Sequence, residues 1–236
     1  MNRTPLVLSV LGIVTIAELG CSPTAPAPPA APSNAAAPSN TAASSNTAAP
    51  SNGSAPVKPA APEPIAWPLA EGWRREVIPF PLDFAPALSY RGAEIIRFAP
   101  RFFDAAAPTY FSYAFVWALE GSPALDAAAL EPDLARYFAG LCKEVGGTKF
   151  SFDPSHFRAR LATAVSARTG ARALAGTVDT YDPFGDGRPL TLNVRIEVWD
   201  CPAPGPRVAA FAASPAAATA PVWRDLEARL AEVRCK

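Results

Sequence analysis

The sequence predicts an α+β domain, an antiparallel sheet with two main helices packed on one face. Three observations predict it. Several segments alternate side chains at period two, and two others carry an apolar stripe at helical spacing. The order along the chain is strands, helix, strands, helix, which suits a sheet with helices laid against it.

The strands come first. "REVIPF" (75–80) and "AEIIRFAP" (93–100) are short candidates. "TYFSYAFVWALE" (109–120) sets Phe111, Tyr113, Phe115, Trp117 and Leu119 on one face, with Ser112, Ala114, Val116 and Ala118 on the other, as a buried strand with a bulky inner face does. A helix follows, with Leu134, Phe138, Leu141 and Val145 at helical spacing, Asp133 at its start and Gly146-Gly147 at its end. Segment 152–168 carries neither period clearly. "ARALAGTVDTY" (171–181) and "PLTLNVRIEVWD" (189–200) are partner strands, joined as a hairpin by the turn-rich loop "DPFGDGRP". In the second of them Leu192, Val194, Ile196 and Val198 face a core, while Asn193, Arg195 and Glu197 face water. "RVAAFAAS" (207–214) is the next strand. "PVWRDLEARLAEVRC" (221–235) is the closing helix, with Val222, Leu226, Leu230 and Val233 on one stripe. The closing order of strand, proline turn and amphipathic helix loosely resembles the PsbP-type α+β sandwich, a likeness of fold alone.

Composition divides the chain into an apolar leader (1–21), an Ala/Pro/Ser/Asn-rich stretch (22–64) and a region that holds every Trp, Phe and Tyr (65–236). Those last 172 residues are a usual size for one domain. Within them 19 Lys+Arg balance 19 Asp+Glu, and the basic residues are scattered, so no electrostatic footprint argues for nucleic acid. Residues 30–52 repeat "AAPSN", "AAPSN", "AASSN" and "AAPSN" at period six with no large apolar residue to bury. This is the composition of a disordered tether, about 130 Å long if fully polyproline-like and roughly 35 Å as a flexible coil.

The leader pairs Arg3 with the apolar run "PLVLSVLGIVTIA" (5–17), too short for a comfortable membrane span and right for a signal peptide. The next residues, "ELGC", resemble the lipobox of bacterial lipoproteins, in which a small residue precedes the lipid-modified cysteine. Gly20 and Cys21 match, and Glu18 and Leu19 stand where the family usually has Leu and a small residue. The resemblance implies export, acylation of Cys21 and a membrane partner through that lipid. Ser22 resembles an outer-membrane sorting signal, which implies the periplasmic side of the outer membrane or the cell surface. Cleavage and plain secretion is the alternative. "EIIRFAPRFFD" followed by the aromatic strand is similar to uncharacterised bacterial envelope proteins, a likeness that carries no chemistry.

Cys142, Cys201 and Cys235 remain, and an exported chain favours a bridge. Cys201 ends a strand; the next strand runs away for about 23 Å and the closing helix returns by about 23 Å, which brings Cys235 back beside Cys201. Connectivity is not settled by sequence alone. Cys142, near an apolar stripe, reads as an inert buried thiol.

Recognisable chemistry is sparse. His156 in "FDPSHF" has Asp153 and Ser155 nearby, but triad members meet in space rather than in sequence, and a turn or cap is the simpler reading. No G-x-S-x-G elbow and no CxxC occurs. Asp179, Asp182 and Asp186 could offer oxygens to a hard cation, yet their spacing is not that of a calcium loop, so solvated aspartates in a hairpin turn are expected. Neither cofactor nor metal is expected. "GWRREVIPFP" and "RFAPRFF" interleave arginine with aromatics and make Arg74, Arg75, Arg97 and Arg101 a possible binding surface for an envelope protein or a wall component. The resulting expectation is a lipid-anchored envelope protein with a non-catalytic binding or structural domain. The alternatives are an exported carboxylate-dependent hydrolase, recognised by a pocket holding two acids of shifted pKa, and a small-ligand carrier with an apolar cavity along the aromatic strand.

Overall fold

A computed structural model describes residues 63–236. The leader, Cys21 and nearly all of the tether lie outside the described residues.

The described chain opens with β1 (Ile65–Ala66), β2 (Arg74–Phe80), β3 (Gly92–Phe98) and β4 (Tyr113–Leu119). Then come α1 (Ala127–Gly146), a 3₁₀ turn (Pro154–His156), β5 (Arg158–Ala164), β6 (Arg172–Tyr181), β7 (Pro189–Asp200) and β8 (Arg207–Ser214). It closes with α2 (Val222–Ala231) and β9 (Arg234–Cys235). Two meanders meet in one seven-stranded antiparallel sheet of order β2-β3-β4-β8-β7-β6-β5, and β1 pairs with β9 in a small separate sheet. The fold is α+β, and the hairpin across 182–189 forms as its turn residues require.

The helices do not share a face. Tyr113, Phe115, Trp117 and Leu119 of β4 pack with Leu130, Leu134, Tyr137 and Phe138 of α1. Ala114, Val116 and Ala118 pack instead with Val222, Trp223, Leu226 and Leu230 of α2. Both faces of β4 are apolar, so both must be covered; one helix on each side is the arrangement that leaves neither wet. The division of labour follows side-chain size. On the α1 side Phe115 stacks flat on Phe211 and Tyr137, at 4.4 and 5.6 Å between ring centroids. On the α2 side Ala210 and Ala212 of β8 let the helix approach, and Trp67, Trp199 and Trp223 fill the space.

Asp126, rather than Asp133, starts α1, its side chain accepting from the Ala129 N–H at 3.0 Å. The helix runs through Pro132, which lacks the N–H that would have bonded to the Ala128 carbonyl. Asp133 accepts from the Tyr90 hydroxyl and from Arg136, pinning the loop before β3 to the helix. Val145 lies on the exposed side, and Cys142 and Gly146 hold the buried stripe at that end. Gly147 ends the helix at φ 51°, a left-handed position that glycine takes without a side-chain clash. The ambiguous stretch becomes the 3₁₀ turn and β5, an edge strand whose Leu161 N–H is taken by Glu131 of α1 at 2.7 Å.

The closing helix is shorter than its apolar stripe. It stops at Ala231, and the chain straightens so that Arg234 and Cys235 pair with Ala66 and Ile65. Cys201 and Cys235 are disulfide-bonded, with Cα atoms 5.6 Å apart. Cys142 is buried against Thr180 and the Tyr181 carbonyl, and burial pushes its thiol pKa up, which leaves it unreactive.

Gly176 of β6 marks a close approach, since a Cβ there would lie 1.8 Å from the Arg160 carbonyl oxygen of β5. Gly176→Ala must therefore push the edge strand outward. Thermal denaturation should show a loss of about 1–3 kcal/mol, the range for overpacking; no measurable loss would mean that β5 is not held as closely as described.

Candidate functional site

The strands separate the four arginines expected to share a surface. Arg75 and Arg97 are register partners on β2 and β3, and Arg74 lies opposite Phe98. Arg97 is only 1% exposed and is not a surface residue. Its side chain follows Ala93 and Ile95 onto the α2 face, where residues 63–67 cover it. It donates to both oxygens of Glu63 at 3.3 and 3.2 Å, to the Trp67 carbonyl at 2.7 Å and to the Ile96 carbonyl at 3.2 Å. The guanidinium also stands 4.7 Å from the centre of the Trp67 ring system. Burial lowers the Arg97 pKa, and the Glu63 carboxylate opposes that shift. Exposed Arg75 leans toward the same carboxylate at 3.7 Å.

Arg74 and Arg101 remain together. They flank a shallow hollow of about 330 Å³ whose lining includes Gly72, Phe102, Phe103 and Asp104. Phe103 is 51% exposed, resting by its edge on Phe102 and Phe184. The Arg74 guanidinium lies 5.5 Å from its ring centre and makes no ion pair among the described residues. Arg101 occupies a left-handed backbone position (φ 62°) uncommon for a residue with a side chain, and its fork meets Asp104 through Nε and Nη2. That hydrogen bonding from Arg101, with the Ala106 N–H, holds the Asp104 carboxyl below its ordinary range. The motif "RFAPRFF" contains Phe103, but nothing in its spacing separates this exposed ring from the buried Phe102 beside it.

The other candidates resolve into local structure. His156 has Nε2 2.8 Å from the Thr180 carbonyl oxygen, so that nitrogen carries a proton and donates. The Ser155 hydroxyl donates to Asp153, which caps the 3₁₀ turn through the Ser155 N–H; neither is turned to the histidine as a triad requires. Those bonds, the backbone one first, hold the Asp153 carboxyl below its ordinary range. Asp179 binds Arg160 and Thr191, and Asp186 pairs with Arg188. Asp182 is buried, contrary to the expectation of a solvated turn, because it organises the hairpin. It accepts from the Tyr110 hydroxyl at 2.8 Å and from the Phe184 and Gly185 N–H groups. Among the described residues no group of three His, Cys, Asp or Glu side chains gathers as a metal would need.

A groove of about 520 Å³ opens between α2 and the β5–β6–β7 half of the sheet. Its floor includes Ala164, Ala173 and Ala175, small residues that leave room above the sheet, and not the aromatic strand β4. Glu197 and Glu227 both face it, each held by an arginine: Glu197 by Arg168 at 3.4 Å, Glu227 by Arg195. These arginines stack over Trp199 and Trp223. The most perturbed carboxyl lies elsewhere. Glu94, on β3, is fully enclosed on the α1 side, where burial raises its pKa to about 7 although Tyr137 and Trp117 oppose the shift. Trp117 Nε1 donates to its Oε1 at 3.2 Å, and Oε2 has no partner. A carboxyl so closed off has no path to a substrate.

No protein-family model matches the chain, and neither a curated protein nor a solved structure matches it. No helix among the described residues is long and apolar enough to cross a membrane, which says nothing of spans made by strands.

Proposed function

We propose that the chain is a lipid-anchored envelope protein, tethered through Cys21, whose folded domain binds a partner rather than transforming a substrate. One observation carries the binding half of this reading. Phe103 stands half out of the protein with the Arg74 guanidinium over its ring and Arg101 in the same hollow, and an exposed ring beside arginine is the composition of an interface anchor. The partner is an envelope protein or a wall component that offers carboxylates, because Arg74, unlike Arg101, has no acidic partner among the described residues and the Phe103 ring supplies apolar area. The anchoring half rests on the lipobox-like "ELGC" and the tether that follows it.

The two halves are tested separately. The intact mass of the full-length product from bacterial membranes should begin at Cys21 and include acyl chains; a soluble, unlipidated product overturns the anchor. For binding, purified wall fragments and solubilised envelope extract are titrated against the wild-type domain and a Phe103→Ala, Arg74→Gln variant. The variant should bind at least about tenfold more weakly, as loss of an interface anchor does. Its folding stability should fall by only about 1 kcal/mol, since the half-exposed Phe103 ring gives up about half the burial energy of a phenylalanine side chain. Equal binding by both proteins would remove this patch as the site.

A further inference from the structure

The backbone pairing of segment Glu63–Trp67 runs only to the other end of the chain, while Ile65 and Trp67 sink into the core on the α2 face of the sheet. β1 pairs with β9 alone, Ile65 opposite Cys235 and Ala66 opposite Arg234. Lys236 Nζ donates to the Glu63 carbonyl at 2.6 Å, and Trp67 Nε1 donates to the Arg229 carbonyl at 2.8 Å. Two strands this short do not hold together unaided. β9 is held from one side by the buried Val233 that follows α2 and from the other by the bond from Cys235 to Cys201, at the end of β7 in the body of the sheet. Beneath the segment lies the buried guanidinium of Arg97. Of its acceptors, the Glu63 carboxylate and the Trp67 carbonyl both come from this segment, and only the neighbouring Ile96 carbonyl does not. Its Nε has no partner.

We propose that Glu63–Trp67 is a strap latched by the Cys201–Cys235 bridge, and that a dithiol reductant opens it while the seven-stranded sheet stays folded. Closure buries Ile65 and Trp67 and forms the Arg97–Glu63 pair, but it also takes a guanidinium out of water, and these effects oppose each other. The bridge tips the balance by holding β9 at the strap's docking position, an effective concentration that falls when the bond is cut and β9 is tied only through Val233 and α2. Cys235 is the more accessible sulfur, since Cys201 is buried. A thiolate of the dithiol attacks the Cys235 Sγ, and the S–S bond breaks with Cys201 leaving as a thiolate that takes up a proton. The second thiol of the reductant then attacks the mixed disulfide, releasing Cys235 as a thiol. Two electrons and two protons pass to the protein, and the reductant leaves as its own disulfide. With the strap released, Arg97 regains water beside Arg75, and the chain leading to the tether lengthens. The latch stands whether or not Cys21 is acylated.

Hydrogen exchange read by mass spectrometry on the full chain, oxidised and after dithiothreitol, tests this. Reduction is verified by intact mass after alkylation. Peptides covering 63–69 and 232–236 should exchange at least about tenfold faster once reduced, with 113–119 and 208–214 still protected, as for a local opening. A Cys201→Ser, Cys235→Ser variant, which lacks the bond from the start, should show the same pattern without reductant. Unchanged protection at 63–69 overturns the latch, and so does loss of protection in β4 and β8 together with the strap, because the bridge would then hold the whole domain.

Discussion

Replacing Trp117 with alanine should cost about 3–5 kcal/mol of folding stability, the range for deleting a large buried aromatic side chain. The ring is fully buried and touches both meanders and α1. Its centroid lies 4.9 Å from Phe211, 5.9 Å from Tyr137, 5.8 Å from Phe80 and 5.8 Å from Tyr90. Two sheet strands, the loop before β3 and a helix therefore lose contacts at one point, and a site built from packed rings collapses poorly onto a void. The substitution also removes the indole N–H that Glu94 accepts from. Trp117→Phe separates the two effects. It keeps much of the volume and loses the donor, and should cost about 1–3 kcal/mol, the penalty for leaving a buried polar atom unpaired. Urea denaturation followed by circular dichroism measures both. A loss below about 1 kcal/mol for the alanine variant would mean that Trp117 is not at the centre of the core.

Glu94 should make the domain less stable as pH rises. Its folded pKa of about 7 lies above its ordinary value of 4.5 because burial penalises the carboxylate. Between those values the folded protein binds more protons than the unfolded chain, so unfolding free energy falls with increasing pH. The contribution is fully present below pH 4.5, is lost as pH climbs to about 7, and is gone above that. The difference amounts to about 3 kcal/mol, because each pH unit between the two values is worth about 1.36 kcal/mol. Glu94→Gln removes the titrating proton and keeps the shape. Relative to wild type, the variant should gain about 3 kcal/mol on going from pH 4.5 to 8, because its buried group stays neutral throughout. Stability curves for both proteins across that range isolate Glu94 from the other titrating groups. Parallel curves would show that the carboxyl is hydrated or paired in the folded state.

Most of the sheet was legible in the sequence, and the reason is local. A half-buried strand must alternate its side chains, so "PLTLNVRIEVWD" reads directly as a strand with Leu192, Val194, Ile196 and Val198 inward, and they are buried. The disulfide was legible too, because a strand and a returning element of matched length bring their ends together whatever lies beside them. Glu94 gave no such signal. Period two places it on a face with Ile96, but only the helix that closes over that face decides that a carboxyl there is sealed from water. The candidate surface was half legible: the arginine-aromatic interleaving is visible, whereas the separation of Arg97 from Arg74 and Arg101 is not.

What the sequence determined by itself is what depends on neighbours along the chain: the periods of strands and helices, the hairpin turn, the small and large faces of β4, and the Ala/Pro/Ser/Asn-rich composition of residues 22–64. What only the tertiary structure decided is what depends on which surfaces meet. α2 crosses to the opposite face from α1, β1 reaches across to β9, and residues 63–67 close over Arg97. Phe102 is buried and Phe103 exposed, although they are adjacent and chemically identical. Burial is a property of the partner surface as much as of the residue, and contacts between segments remote in sequence leave no local pattern from which it can be read.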